Sequence, residues 1–162
     1  MSGTGDRQKA GDVLIGLGSV GLHSNGYSLA RKVVDVSGLA WDAPSPFSDG
    51  ETLGQALMTP TRIYVKSALP VIQAGRVKGC AHITGGGLIE NPPRAIAQGL
   101  VPRFDWNAWT RPAVFDWLAK AGGIDEQEMR RTFNGGVGLM LVVAATDVEP
   151  VLAALLNAGE DA

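Results

Sequence analysis

Two stretches of the chain place glycines next to polar residues that could contact a ligand. In "AHITGGGLIENPPR", residues 81–94, three glycines follow a β-like run and precede a helical one, and "GSVGLHSNG", residues 18–26, repeats the arrangement. Glycine freely adopts the positive φ angles that turn several backbone N–H groups toward one point. A following helix N-terminus adds partial positive charge. Each stretch is therefore either an anion-binding turn or a tight structural turn under close packing.

The first stretch favours a phosphate site. We predict that its glycines turn at the end of a strand and that their N–H groups converge on one point. The stretch has neither the Gly-Lys-Ser/Thr ending of a Walker loop nor the spaced glycines of a dinucleotide fingerprint. For His82 the alternative is a hydrogen-bonded core histidine. The candidate substrate-binding residues here are His82, Thr84, Gly85, Gly86, Gly87, Glu90, Asn91 and Arg94.

The second stretch offers a histidine and two short polar side chains at the start of a predicted helix. His23 is the candidate catalytic residue, and Ser24, Asn25 and Gly26 are candidate substrate-binding residues. For His23 the alternative is a surface turn histidine. For Ser24 and Asn25 the alternative is capping of the helix.

Composition limits the classes of protein that fit. The 162 residues suit one domain with a sizeable core, and the net charge of −2 argues against a broad nucleic-acid surface. The single cysteine, Cys80, excludes an internal disulfide and is expected to be a buried thiol. With two distant histidines, no metal site is expected. No stretch suits a membrane span or a signal peptide, so a cytoplasmic protein is the default.

Hydrophobic patterning predicts an α+β fold, with a mixed β-sheet covered by helices. Residues 1–10 are expected to be a disordered tail, and residues 11–162 a single domain. A long apolar run predicts a central strand near the end of the chain. The predicted strands are 13–17, 77–83, 100–106 and 138–145.

The two glycine stretches restrict how their strands are arranged. Each stretch follows directly on a predicted strand, 13–17 or 77–83. If both belong to one cleft, these strands must run parallel and end at the same edge of the sheet, with the ligand beyond them.

Four segments together carry a family resemblance: "GLHSNGYSLARKVV", "LMTPTRIYVKSALPVI", "AHITGGGLIENPPR" and "MRRTFNGGVGLMLVV". In this order they closely resemble the C-terminal half of aminoimidazole ribonucleotide synthetase, the phosphoribosylformylglycinamidine cyclo-ligase, over about residues 11–162. The resemblance implies an enzyme of purine biosynthesis that uses ATP and Mg²⁺ to close the imidazole ring of formylglycinamidine ribonucleotide. It also implies a homodimeric full-length protein.

The resemblance assigns the glycine run with its polar neighbours to the substrate phosphate, and the His-Ser-Asn-Gly motif at His23 to the cleft. The family's N-terminal ATP-binding domain has no counterpart in these residues, so the chain alone is expected to be inactive. The sequence stops at "NAGEDA", where the family continues into a last strand, and one sheet edge is therefore expected to be unpaired. The alternative is a stand-alone phosphate-ligand-binding or interaction module of the same fold without catalytic activity.

Overall fold

Three strands form the sheet of this protein, in the order β1-β3-β2. The computed structural model describes residues 8–162, and its strands are β1 (Val13–Gly18), β2 (Val77–His82) and β3 (Val137–Val143). Both neighbouring pairs are antiparallel, so the adjacent strands do not form the mixed pattern that the sequence predicted. The α+β class is confirmed.

The outer strands run in the same direction. β1 and β2 each pair antiparallel with β3, which makes them parallel to one another without touching. Their carboxyl ends therefore lie at one end of the sheet, as predicted from the two glycine stretches.

Within residues 8–162, seven α-helices accompany the sheet, and several begin where the sequence indicates. Thr52 accepts a hydrogen bond from the Gln55 N–H as the N-cap of α2, and Asp125 does the same for Glu128 in α6. α1 ends at Gly38, which adopts the left-handed conformation. The helices are α1 (Tyr27–Ser37), α2 (Leu53–Leu57), α3 (Val65–Gln73), α4 (Gly87–Glu90), α5 (Ala113–Gly122), α6 (Glu126–Thr132) and α7 (Val148–Asn157), with short 3₁₀ turns at Pro92–Ala95 and Ala145–Asp147.

The central strand is buried on both faces, which explains its continuous apolar sequence. Leu139, Leu141 and Val143 face one core, which α3 and α7 complete. Met140 and Val142 face a second core, where Phe104 and Trp106 pack against the sheet. A third cluster joins α1, α2, α5 and α6 beside the sheet.

Two predictions about regular structure are wrong. Residues 100–106 form an irregular segment rather than a strand, and their aromatic side chains cover the sheet instead of extending it. Pro102 lacks the N–H that a strand needs for pairing. The N-cap of α1 is Gly26, with no side-chain hydrogen bond, so Ser24 and Asn25 do not cap this helix.

Two predictions about exposure are also wrong. Cys80 is exposed, because alternate residues of the outer strand β2 point away from the core. Of the predicted tail, Met1–Arg7 lie outside the described residues, but Gln8 is held in place. Its side chain bonds the carbonyl oxygens of Lys78 and Ala95. No helix in the described part of the chain has the length and apolar character needed to cross a membrane.

Candidate functional site

The turns that follow β1 and β2 contact each other through one side chain. The Asn25 Oδ1 atom accepts a hydrogen bond from the Gly85 N–H at 2.9 Å. The amide nitrogen of Asn25 donates to the carbonyl oxygen of His23 at 2.7 Å. Asn25 therefore holds together the two stretches that the sequence singled out, across 60 residues of chain.

The triple glycine forms a turn, but its N–H groups do not converge on one point. Gly85 is exposed and donates to Asn25, whereas Gly87 is buried and donates to the Thr84 carbonyl oxygen at 2.9 Å. Gly86 and Gly87 have φ angles of 116° and 53°, which favour glycine. The predicted convergence is wrong, because two of the three N–H groups are already bonded within the protein.

Asn91 fixes the shape of this turn from inside. Its side chain is buried, and Oδ1 accepts hydrogen bonds from the Thr84 N–H at 2.5 Å and the Thr84 hydroxyl at 3.0 Å. No side-chain bond from Asn91 caps the following 3₁₀ turn. With its amide oxygen occupied by Thr84, Asn91 supports the site rather than facing a ligand.

Close packing explains why glycine occupies two positions in these turns. A side chain at Gly87 would collide with the backbone carbonyl oxygens of Arg130 and Phe133 in and after α6. A side chain at Gly26 would collide with the Phe133 ring. For these two positions the packing alternative is therefore correct, whereas a Cβ atom at Gly85 would meet only the Asn25 Oδ1 atom, at an ordinary contact distance of 3.8 Å.

The polar groups that remain accessible surround the contact between the turns. Ser24, His82, Glu90 and Arg94 are all exposed. His82 is thus not the core histidine that one alternative suggested. A Cβ atom at Gly86 would lie 3.1 Å from the Glu90 carboxylate, so this acidic group covers the turn. An anion bound there would have to displace it.

His23 is buried rather than facing a cleft. Its side chain is 1% exposed, and Nε2 accepts N–H groups from Val20 at 3.2 Å and Arg62 at 3.4 Å. The proton of the neutral ring therefore lies on Nδ1, which has no hydrogen-bond partner among residues 8–162. This burial contradicts the surface interpretation of His23, because the ring does not reach solvent. Its catalytic role stays a prediction.

Burial lowers the pKa of His23 below its ordinary value of 6.5, and the nearby His82 and Arg62 side chains lower it further. The ring is therefore neutral in the folded protein at pH 7. A neutral, buried acceptor of two backbone N–H groups has a structural role: it ties the loop after β1 to the segment before α3.

A buried polar cluster that the sequence analysis missed lies beside His23. Arg62 Nε is 2.9 Å from the Glu160 carboxylate, which also accepts the Ser67 hydroxyl at 2.5 Å. Burial and the Glu160 charge raise the pKa of Tyr64 to about 12, and the Tyr64 hydroxyl donates to the Gly18 carbonyl oxygen at 2.7 Å. The members are far apart in sequence, and no local pattern could have joined them.

Replacing Asn25 with alanine is expected to free the Gly85 amide without unfolding the domain. The substitution removes the hydrogen bond between the turns and the one to the His23 carbonyl oxygen, at a cost of about 1 kcal/mol each. Hydrogen exchange of the Gly85 N–H should accelerate, while exchange in β3 stays slow. Ser28→Ala, an exposed change on α1, is the control. Unchanged exchange at Gly85 would show that Asn25 does not hold the turns together.

The match to a known family agrees with this arrangement. Residues 9–162, nearly the whole chain, match the model of the family described as AIR synthase related protein, C-terminal domain. The matched region includes both turns and all three strands. The chain therefore belongs to the AIR synthase related C-terminal domain family.

Proposed function

We propose that this chain is the substrate-binding half of a phosphoribosylformylglycinamidine cyclo-ligase, with formylglycinamidine ribonucleotide as its ligand. The contact between Asn25 and Gly85 carries the proposal, because it joins two of the four segments that resemble that enzyme, at one end of the sheet. Open α/β sheets bind ligands beyond the carboxyl ends of their strands.

The accessible groups define how the substrate would be held. Arg94 is exposed and lies 4.0 Å from Glu90, the group that covers Gly86. A phosphate that displaced the Glu90 carboxylate would gain the Arg94 guanidinium, whose N–H groups suit phosphate oxygens. The exposed side chains of Ser24 and His82 are the further polar contacts in this proposal. Asn25, Asn91 and Gly87 shape the turns.

ATP and Mg²⁺ would be bound mainly outside this chain. Within residues 8–162, no three His, Cys, Asp or Glu side chains come together in a group that could hold a metal ion. In this proposal an N-terminal ATP-binding domain supplies that site and completes a homodimeric enzyme. The residues described here bind and orient the substrate and take no part in holding the metal.

Calorimetric titration of the chain with formylglycinamidine ribonucleotide tests this assignment. Binding is expected, and Arg94→Ala should weaken it about tenfold or more, because a charge-assisted contact contributes about 1.5–3 kcal/mol. Arg31→Ala, an exposed arginine on α1, is the matched control. The nucleoside without its phosphate should bind the parent chain and Arg94→Ala equally weakly. No binding to the parent chain would refute the proposal.

In this proposal ATP is bound by a separate domain, so residues 1–162 by themselves are expected to show no imidazole product when mixed with substrate, ATP and Mg²⁺. Addition of the N-terminal domain of a family member should restore product formation, and a chromatographic assay of the product measures both. Turnover by the chain alone would contradict the proposal that a separate domain binds ATP. Substrate binding without turnover in the mixture would favour the alternative, a binding module that lacks the chemistry.

A further inference from the structure

A buried carboxylate holds the segment before α3 beside the turn that follows β1. The Glu160 side chain is 5% exposed, and its Oε1 atom accepts the Ser67 hydroxyl at 2.5 Å. Its Oε2 atom lies 2.9 Å from Arg62 Nε but has no aligned hydrogen bond within residues 8–162, so the attraction there is mainly one of charge. Glu160 needs this countercharge, because burial removes the hydration of a carboxylate.

Arg62 connects this carboxylate to the turn. Its guanidinium also donates to the Gly159 carbonyl oxygen at 2.6 Å, so the side chain is held at two points. The backbone N–H of Arg62 donates to His23 Nε2 at 3.4 Å, and the neighbouring Thr61 hydroxyl lies 3.3 Å from that of Ser24. The position of Arg62 therefore determines where the turn after β1 finds its polar partners.

The connection extends to the contact between the two turns. The carbonyl oxygen of His23 accepts the Asn25 amide, whose oxygen accepts the Gly85 N–H. A continuous series of polar contacts thus runs from Glu160 through Arg62 and His23 to Gly85. Energetic coupling across such a series is a property that variants can measure.

A second buried ion pair provides a comparison within the same molecule. Lys78 Nζ is 2.6 Å from the Asp12 carboxylate, and the Asp12 side chain is 5% exposed, like that of Glu160. Asp12 precedes β1 and Lys78 lies near the start of β2, so this pair is at the opposite end of the sheet from the turns. The two carboxylates are equally buried but differ in their distance from the candidate site.

We propose that Glu160 is a positioning residue for the candidate site. By fixing Arg62, it holds the turn after β1 in the conformation that binds the ligand, and its burial keeps it out of contact with the ligand itself. The identity of the ligand rests on the function proposed above, whereas the effect of Glu160 on the turns does not depend on it.

Glu160→Gln tests this role, because it removes the charge and keeps the size of the side chain. Hydrogen exchange at the Asn25 and Gly85 amides should become about fivefold faster or more, and calorimetry should show a similar loss of affinity for formylglycinamidine ribonucleotide. Glu160→Asp keeps the charge and should recover part of the affinity. Asp12→Asn is the matched control, which should leave the turns and the affinity unchanged.

A double variant separates positioning from folding if Glu160→Gln does not fold. Arg62→Met/Glu160→Met replaces the ion pair with apolar side chains, an exchange that proteins often tolerate without loss of stability. The turn amides should still exchange faster than in the parent chain, because the charge that fixed Arg62 is gone. Parent-like exchange in a stable double variant would overturn the proposal.

The comparison with Asp12→Asn decides the remaining outcomes. Equal acceleration of the turn amides in Glu160→Gln and Asp12→Asn would mean general destabilisation and would overturn the proposal, as would unchanged turn amides in Glu160→Gln. If the parent chain binds no substrate, the function proposed above fails. The exchange rates then decide by themselves whether Glu160 positions the turn.

Discussion

Replacing Gly87 with alanine is expected to destabilise the domain by about 3 kcal/mol or more. The new methyl group would overlap the carbonyl oxygens of Arg130 and Phe133, which belong to the backbone and cannot rotate away. The φ angle of 53° adds strain for any residue with a Cβ atom. Urea unfolding followed by circular dichroism measures the loss.

The neighbouring Gly85→Ala is the matched control. Gly85 has a negative φ angle, and its nearest neighbour, Asn25 Oδ1, lies 3.8 Å from the position of an added Cβ. We expect this change to alter the free energy of unfolding by less than about 0.5 kcal/mol. Equal effects at both positions would show that the turn is not packed against α6 as described.

His23→Ala should destabilise the domain by about 2–4 kcal/mol. The substitution leaves a cavity and removes the acceptor for the Val20 and Arg62 N–H groups. His23→Gln, whose amide oxygen can accept the same N–H groups, should recover part of the loss. Ser24→Ala, an exposed neighbour, is the control with almost no effect. A stable His23→Ala protein that lost only substrate affinity would restore His23 to the binding site.

The pH dependence of stability is a second test of how much His23 contributes to the free energy of unfolding. Because its pKa is lowered from 6.5 in the folded state, the unfolded chain binds more protons as the pH falls below that value. The contribution of His23 is therefore fully present above about pH 6.5 and is lost as the pH falls toward the folded-state pKa. Urea unfolding at pH 7.5 and 5.5 should show this loss in the parent chain and a smaller one in His23→Ala.

Sequence reasoning succeeded where local signals and core patterning agree. The apolar run of β3 predicted an element that the structure confirms. The shared direction of β1 and β2 was predicted from the requirement that both glycine stretches belong to one cleft. The α+β class and the family followed from the pattern of elements and the four motifs.

Sequence reasoning failed where the position or the hydrogen bonds of a residue depended on partners distant in the sequence. Whether the Gly85 and Gly87 N–H groups are free depends on Asn25 and Thr84, and local patterning does not reveal those bonds. His23 is buried because Tyr64 and Gly138 close around it, which its own segment does not indicate. Residues 100–106 include apolar and aromatic side chains that favour a strand, but Pro102 cannot donate to a strand ladder, and the aromatic side chains pack on the sheet instead.

The position of β3 between the outer strands has a consequence for the order of assembly. β1 and β2 never pair with each other, so β3 must be in place before the two turns are brought into register. Since β3 follows both turns in the chain, the pairing that aligns Asn25 with Gly85 requires the synthesis of Val137–Val143. The contact between the turns thus depends on long-range pairing, which is slow to form.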